Sequence, residues 1–237
     1  ALSWTFLTSN PVPPGVPGGG IENAIVGTLI IVALAIVMAA PVSLGAALFV
    51  TERPGKVANA LRFAGDVLTG APSIAIGVFA YVIVVLNVGY SGFAGSVALA
   101  VLMLPIMMRV NEEAILSVEA DLWDAGLALG SQRGRVVRSV ILRTALPSII
   151  SGNILAVARA IGETAPLLFT IFGSQFLIFN PASPMSALPL SIFTNATQGY
   201  GGAEQTAWGA ALVLMLLVVL LSLLARSLAS HLSRKAR

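Results

Sequence analysis

The chain has 237 residues, of which 57% are hydrophobic and only 10% charged, against about 25% charged in a soluble domain. That composition excludes an ordinary water-soluble fold and implies an all-α polytopic bundle of membrane-spanning helices. The net charge of +3 is small, and with no cysteine there can be no disulfide, thiol catalysis or thiolate metal site. The single His231 lies in a basic tail without a partner at metal-ligand spacing, so no metal site is expected.

Residues 1–20 lack the basic start and continuous apolar core of a signal peptide, and the Pro- and Gly-rich stretch 10–20 favours neither helix nor strand ladder. This part reads as a surface loop. From Asn23 to Thr51 there is no charged residue, enough at about 1.5 Å per residue to cross roughly 30 Å of hydrocarbon. A first span is placed at 23–50, with Pro41 bending it or marking its return to the headgroups. Arg53, Lys56 and Arg62 then make a short basic connection.

Asp66 is the last charge before a run that ends at Arg109, too long for one helix, and the turn residues of 87–92 divide it. Spans two and three are placed at 66–86 and 93–110, with Pro72 and Ser73 at a kink in span two. Residues 111–146 are charged and read as a water-exposed segment, holding Glu112, Glu113, Glu119, Asp121 and Asp124 with Arg133, Arg135, Arg138 and Arg143. Span four is placed at 147–173, a Pro- and Gly-marked loop at 174–204, and span five at 205–225, led in by Trp208. The tail from Arg226 is basic.

With five spans, the connections 51–65 and 109–146 share a side with the tail, and every Lys and Arg except Arg159 lies there. The positive-inside rule makes that side the cytoplasm. The layout expected is therefore an external loop 1–22, a transmembrane domain 23–226 and a cytoplasmic tail 227–237. Within the transmembrane domain lie the cytoplasmic segment 111–146 and the external loop 174–204. Ala1 falls outside, from which a first span before Ala1, lost from this chain, is expected.

In the charged segment, Asp121 and Asp124 fall early in a possible helix, where negative charge suits the unpaired N–H groups. Leu122, Ala125, Gly126 and Leu129 recur at helical steps, and Gly130 ends the run. So short a helix needs a surface to lie on, either this bundle or another polypeptide. A second helix follows from Arg133 to Leu146.

Span four carries Arg159 and Glu163, each costing roughly 2.5–3.5 kcal/mol to insert, which makes them a functional hypothesis by default. One helical turn apart, they share a face and can pair. Gly152, Ala156 and Ala160 form a strip that lets another helix approach, and Pro166 with Gly162 kinks the helix beside the charges. Three uses stay open on pattern alone: a structural ion pair, a proton relay through Glu163, and an oxyanion site built on the Arg159 guanidinium.

Two stretches resemble a known family. Asp124-Ala-Gly, three residues to Gly130 and nine more to Val140-Ile-Leu142 are similar to the Glu-Ala-Ala motif of bacterial ABC importer permeases. Asp124 and Gly126 replace the usual Glu and second Ala, and Arg143 stands where Pro often follows, with Pro147 four residues on. The stretch from Ala158 to Thr170, above all Gly162-Glu-Thr-Ala-Pro166, resembles the permeases of phosphate-specific importers, in particular the A subunit of their two-permease pair. Residues 184–193 and 71–74 are similar to that subunit's external loop and second span.

The resemblance implies a type I importer permease fold whose 119–130 helix inserts into a separate ATPase, with Asp121, Leu122, Asp124, Ala125, Gly126, Leu129 and Gly130 as its coupling residues. It implies a phosphate path involving Arg159, Glu163, Thr164 and Ser73, with Glu163 holding or releasing the arginine. The partners implied are a second permease, an ATPase dimer and an external phosphate-binding protein. The chain has no phosphate-cradling Gly-x-x-x-x-Gly-Lys-Ser/Thr loop, so ATP and Mg are expected in the ATPase and no cofactor in this chain. The expectation is a non-enzymatic translocation subunit in the bacterial plasma membrane, in contact with lipid and without nucleic acid. A proton-coupled anion transporter, an ABC permease for another oxyanion, or an assembly subunit without a substrate path are the alternatives.

Overall fold

The computed structural model describes residues 3–13, 16, 18–198 and 201–235, and among these the fold is helical, with a single isolated bridge between Phe172 and Met185. In chain order the helices are α1 (Trp4–Leu7), α2 (Glu22–Glu52), α3 (Lys56–Gly70), α4 (Ser73–Ala80) and α5 (Leu86–Val88). There follow α6 (Gly92–Leu116), α7 (Ala120–Ala128), α8 (Arg133–Val136), α9 (Leu142–Ile161), α10 (Ala165–Leu168), α11 (Leu188–Thr197) and α12 (Ala203–Lys235). Wide π-helical turns at Tyr81–Val85 and Val137–Ile141 join α4 to α5 and α8 to α9.

Glu22–Glu52, Gly92–Leu116, Arg133–Ile161 and Ala203–His231 are each long and apolar enough to cross a membrane, and the broken pair Lys56–Gly70 with Ser73–Val88 makes a fifth span if counted as one. The first, third and fifth expected spans are thus present, and longer than expected at one or both ends. Pro41, Pro105 and Pro147 stand inside α2, α6 and α9 without ending them.

Four boundaries differ from the sequence reading. The basic connection is mostly helix, since α3 begins at Lys56, and Ala71-Pro72 separates it completely from α4 rather than kinking one span. Pro72 supplies no N–H to a helix coming from α3 and instead caps the next one, its carbonyl accepting from Ala75 at 2.9 Å. The fourth span starts inside the charged segment at Arg133 and stops at Ile161, short of the expected end. The loop 174–204 contains α11, whose start is set by Pro189 in its first turn.

The chain forms two compact units. Unit 1 comprises Ala1–Met38, Ala71–Met103 and Val157–Val219. One core there joins Ile21, just before α2, and Ala24 of α2 to Leu188 of α11 and Ala210 of α12. The Leu188 amide donates to Thr28 Oγ1 at 2.8 Å, and the Asn23 side-chain amide to the Ser174 carbonyl, so the 174–188 segment is fastened to α2.

Unit 2 comprises Ala39–Gly70, Leu104–Ala156 and Leu220–Arg237. Its core packs Ala47 of α2, Ala114 and Ile115 of α6, and Val136, Ile141 and Ile149 of the α8–α9 helix. The expected small-residue strip works at Gly152, where an added Cβ would lie 1.9 Å from Val110 Cγ1 of α6. We expect Gly152→Val to force these helices apart, costing more than the roughly 1–3 kcal/mol of ordinary overpacking because both elements are backbone-rigid. Membrane levels of the variant, read by immunoblot and by thermal unfolding in detergent, check this.

Among the described residues, every Lys and Arg except Arg159 belongs to unit 2. Unit 1 therefore carries one basic side chain, and it lies in an apolar helix.

Candidate functional site

Arg159 sits in the last turn of α9, where the carbonyl-rich helix end favours a cation. Its side chain is exposed, while Ala158, Ala160 and Ile161 around it are buried. The helix stops two residues later, with the Gly162 amide bonded to the Arg159 carbonyl and the Glu163 amide to the Ala160 carbonyl, both at 3.1 Å. Glu163 and Thr164 are non-helical and half-buried. Thr164 then starts α10, its carbonyl accepting from Leu167 and Leu168.

The expected one-face pair of Arg159 and Glu163 is therefore not formed. The ion pairs among the described residues are Arg62–Glu112 and Arg109–Glu113. Four-residue spacing aligns two side chains only while the helix continues, and here it ends between them. Arg159 is left exposed and without a carboxylate at a break in the backbone.

Ser73, also half-buried, is the first residue of α4. α4 lies directly on α10, because Gly77 has no side chain: a Cβ there would stand 2.8 Å from Pro166 Cα. Unit 1 thus carries Ser73, Arg159, Glu163 and Thr164 on two neighbouring interrupted helices. Interrupted backbone at membrane depth is tolerated where it is buried in protein or lines a watery cavity.

The other expected residues lie on α7 in unit 2. Asp121 is in the first turn, and the helix ends at Leu129 and Gly130, the latter at φ +75°, a conformation only glycine adopts without cost. Trp123 packs against the unit 2 core and Arg133 sits 5.9 Å from its ring centroid. Gly126 follows on that inner face, where a Cβ would come 2.9 Å from Val136 Cγ1. Leu122, Ala125 and Leu129 do not lie on the bundle: they are exposed alongside Asp121, Asp124 and Gly130, with Leu129 at 85%. The stripe expected from spacing is split, since the large indole rather than Leu122 takes the core position.

A match to the family described as binding-protein-dependent transport system inner membrane component covers residues 31–237. The chain belongs to this family. The phosphate transport system permease protein PstA of Yersinia pestis is 37% identical over 228 residues, 95% of this chain and 77% of that protein. PstA of Xylella fastidiosa is 39% identical over 226 residues, 94% of this chain and 79% of that protein. Among solved structures, an inward-facing conformation of the MetNI methionine ABC transporter superposes with a TM-score of 0.68 at 20% identity, covering 90% of this chain and 94% of that one. The fold is that of a type I importer permease.

Within this permease, sequence reasoning missed a buried polar cluster in unit 2. Glu112, 4% exposed, accepts from Arg62 Nε at 2.7 Å, and Arg62 also donates to the Val50 carbonyl at 3.0 Å. Asn111, fully buried, donates to Ser43 Oγ at 3.3 Å and accepts from Asn153 Nδ2 at 3.0 Å. Read singly, Arg62 looks like a loop charge and Glu112 like part of a solvated run; only the chain's folding brings α2, α3, α6 and α9 to them. We expect Arg62→Met to strand the Glu112 carboxylate and cost about 3–5 kcal/mol, whereas Arg62→Met with Glu112→Met lies much closer to neutral. Denaturation of the purified variants checks the difference.

Unit 1 also holds an open recess of about 1280 Å³ among the N-terminal segment, the 172–175 turn, α11 and the start of α12. Ser3, Asn23, Gln175, Thr194, Asn195 and Gln205 contribute to it, and none of the described residues lining it is charged. It offers no charge to an anion among the described residues.

Proposed function

We propose that this chain is the permease subunit through which inorganic phosphate enters a bacterial cytoplasm, driven by ATP hydrolysis in a separate subunit. The observation that carries the reading is Arg159, exposed and without a carboxylate at a helix break in an apolar segment. Such a charge is too costly to present to lipid, so it faces a second protein or a watery passage. Its planar fork matches the oxygens of a tetrahedral oxyanion, and the relatives named for phosphate transport support that anion. Glu163, in the break itself, is placed to compete for the guanidinium when the passage rearranges, which keeps phosphate binding transient. Thr164 and Ser73 add hydroxyls on the neighbouring helix starts.

The complex we propose contains a second permease completing the passage, an ATPase dimer that binds ATP and Mg, and an external phosphate-binding protein. The charge distribution supports a plasma-membrane orientation with the C-terminus and the 111–146 segment in the cytoplasm and residues 1–22 and 174–204 outside. The uncharged recess of unit 1 then offers hydroxyls and amides to the binding protein. The exposed stripe of α7 takes the push of the ATPase.

Uptake of labelled phosphate by proteoliposomes holding the whole complex tests the reading. Transport should require ATP inside the vesicle compartment that holds the ATPase and should survive collapse of the proton gradient. Uptake that continues without ATP while a proton gradient stands would make this a proton-coupled carrier instead.

A further inference from the structure

At the start of the helix Arg133–Ile161 there is a recess of about 540 Å³ lined by Gln132, Gly134, Arg135, Arg138, Ser139 and Arg143. All three arginines are exposed, and none belongs to an ion pair among the described residues, where the pairs are Arg62–Glu112 and Arg109–Glu113. Neighbouring Arg133 is engaged elsewhere, over the Trp123 ring.

The gathering depends on the wide turn. In an uninterrupted α-helix Arg138 and Arg143 would point roughly 140° apart, at about 100° per residue. Between them the Leu142 amide bonds to the Val137 carbonyl, one residue farther back than in an α-helix. The extra residue takes up about 100° of that separation and swings Arg143 toward the face of Arg135 and Arg138. Three like charges are thereby brought together at an energetic cost, with no carboxylate to offset it.

What lies next along the helix indicates the occupant. Leu146, three residues beyond Arg143 and so its neighbour on the helix surface, is 43% exposed, and the helix is apolar enough to cross a membrane. The guanidinium groups therefore stand at the polar end of a span with an open apolar side chain next to them. A phosphate group attached to hydrocarbon fits both features, while free phosphate fits only the first.

We propose that Arg135, Arg138 and Arg143 bind the phosphate headgroup of an anionic phospholipid, whose acyl chain runs past Leu146. The site serves the boundary between this helix and the bilayer and is separate from the passage marked by Arg159.

The test is the phospholipid that stays with the purified complex in detergent, measured by mass spectrometry after growth in a membrane containing phosphatidylglycerol and phosphatidylethanolamine. Retained phosphatidylglycerol should fall by about tenfold or more in Arg135→Gln/Arg138→Gln/Arg143→Gln, given the usual contribution of each basic residue at an anionic surface. It should be unchanged in Arg53→Gln/Lys56→Gln/Arg226→Gln, which removes the same charge elsewhere, and it should resist washing with excess inorganic phosphate. Equal retention by the triple variant, displacement by inorganic phosphate, or loss of the ATPase subunit together with the lipid would each overturn the proposal. The last two results would mark a free-anion site and a protein interface respectively. If the triple variant is not recovered, Arg143→Gln alone decides, by losing part of the bound phosphatidylglycerol or retaining all of it.

Discussion

Arg159→Gln is expected to abolish phosphate uptake by the assembled transporter while leaving the chain in the membrane with its partners. The side chain makes no ion pair among the described residues and is exposed, so its removal strands no buried carboxylate and opens no cavity. Stability should therefore be nearly unchanged. If Arg159 meets the anion as proposed, its charge is what is lost: removing one member of a desolvated charged contact costs roughly 2–5 kcal/mol, which lowers uptake by about thirtyfold or more. Arg159→Lys keeps the charge but not the fork, and should retain a small part of the rate. Labelled-phosphate uptake measured beside the recovery of the intact complex separates the two effects. Uptake within twofold of the unchanged protein would remove Arg159 from the passage.

The parts of this fold legible in the sequence are those where a long charge-free run leaves no alternative to a membrane helix. α2, α6 and α12 each contain such a run. α3 was not legible, because Lys56, Arg62 and Asp66 interrupt its apolar residues and an amphipathic helix attached to a bundle then looks like a loop. What attaches it is the Arg62–Glu112 contact, fifty positions apart in sequence, together with Ala58 buried against Val50 and Met108, and no local pattern shows either. The break after Arg159 shows a different limit. Gly162 and Pro166 signal weakened helix, but spacing arithmetic carried the helical register across them and so paired Arg159 with Glu163. Composition singles out Arg159 and Glu163 as charges in an apolar run, while the break between them shows only in the folded chain. On α7 the helical period was legible but which face meets the bundle was not, since a stripe of leucine and alanine and a single tryptophan compete for one packed face, and the tryptophan buries more area.

That orientation leads to the second large effect, at Leu122 and Leu129. Both side chains are exposed and neither is among the described residues of the unit 2 core, so Leu122→Glu with Leu129→Glu should leave the permease folded. In the assembly proposed above, the ATPase would meet two carboxylates added to Asp121 and Asp124 in place of the apolar side chains of Leu122 and Leu129. Burying an unpaired charge in such a contact exceeds the roughly 2 kcal/mol that defines a dominant interface residue, so the ATPase should be lost from the purified complex. Trp123→Ala provides the contrast. It removes the side chain that anchors α7 to unit 2, so it should loosen the helix itself and lower the thermal stability of the isolated chain. If the exposed leucines anchor only this chain's own helix, the double variant and Trp123→Ala will behave alike, both destabilised; if they receive a partner, only the double variant will combine normal stability with loss of the ATPase. Measuring co-purified ATPase and unfolding temperature on the same preparations distinguishes these outcomes, and a double variant that keeps its full complement of ATPase would rule out α7 as the coupling element.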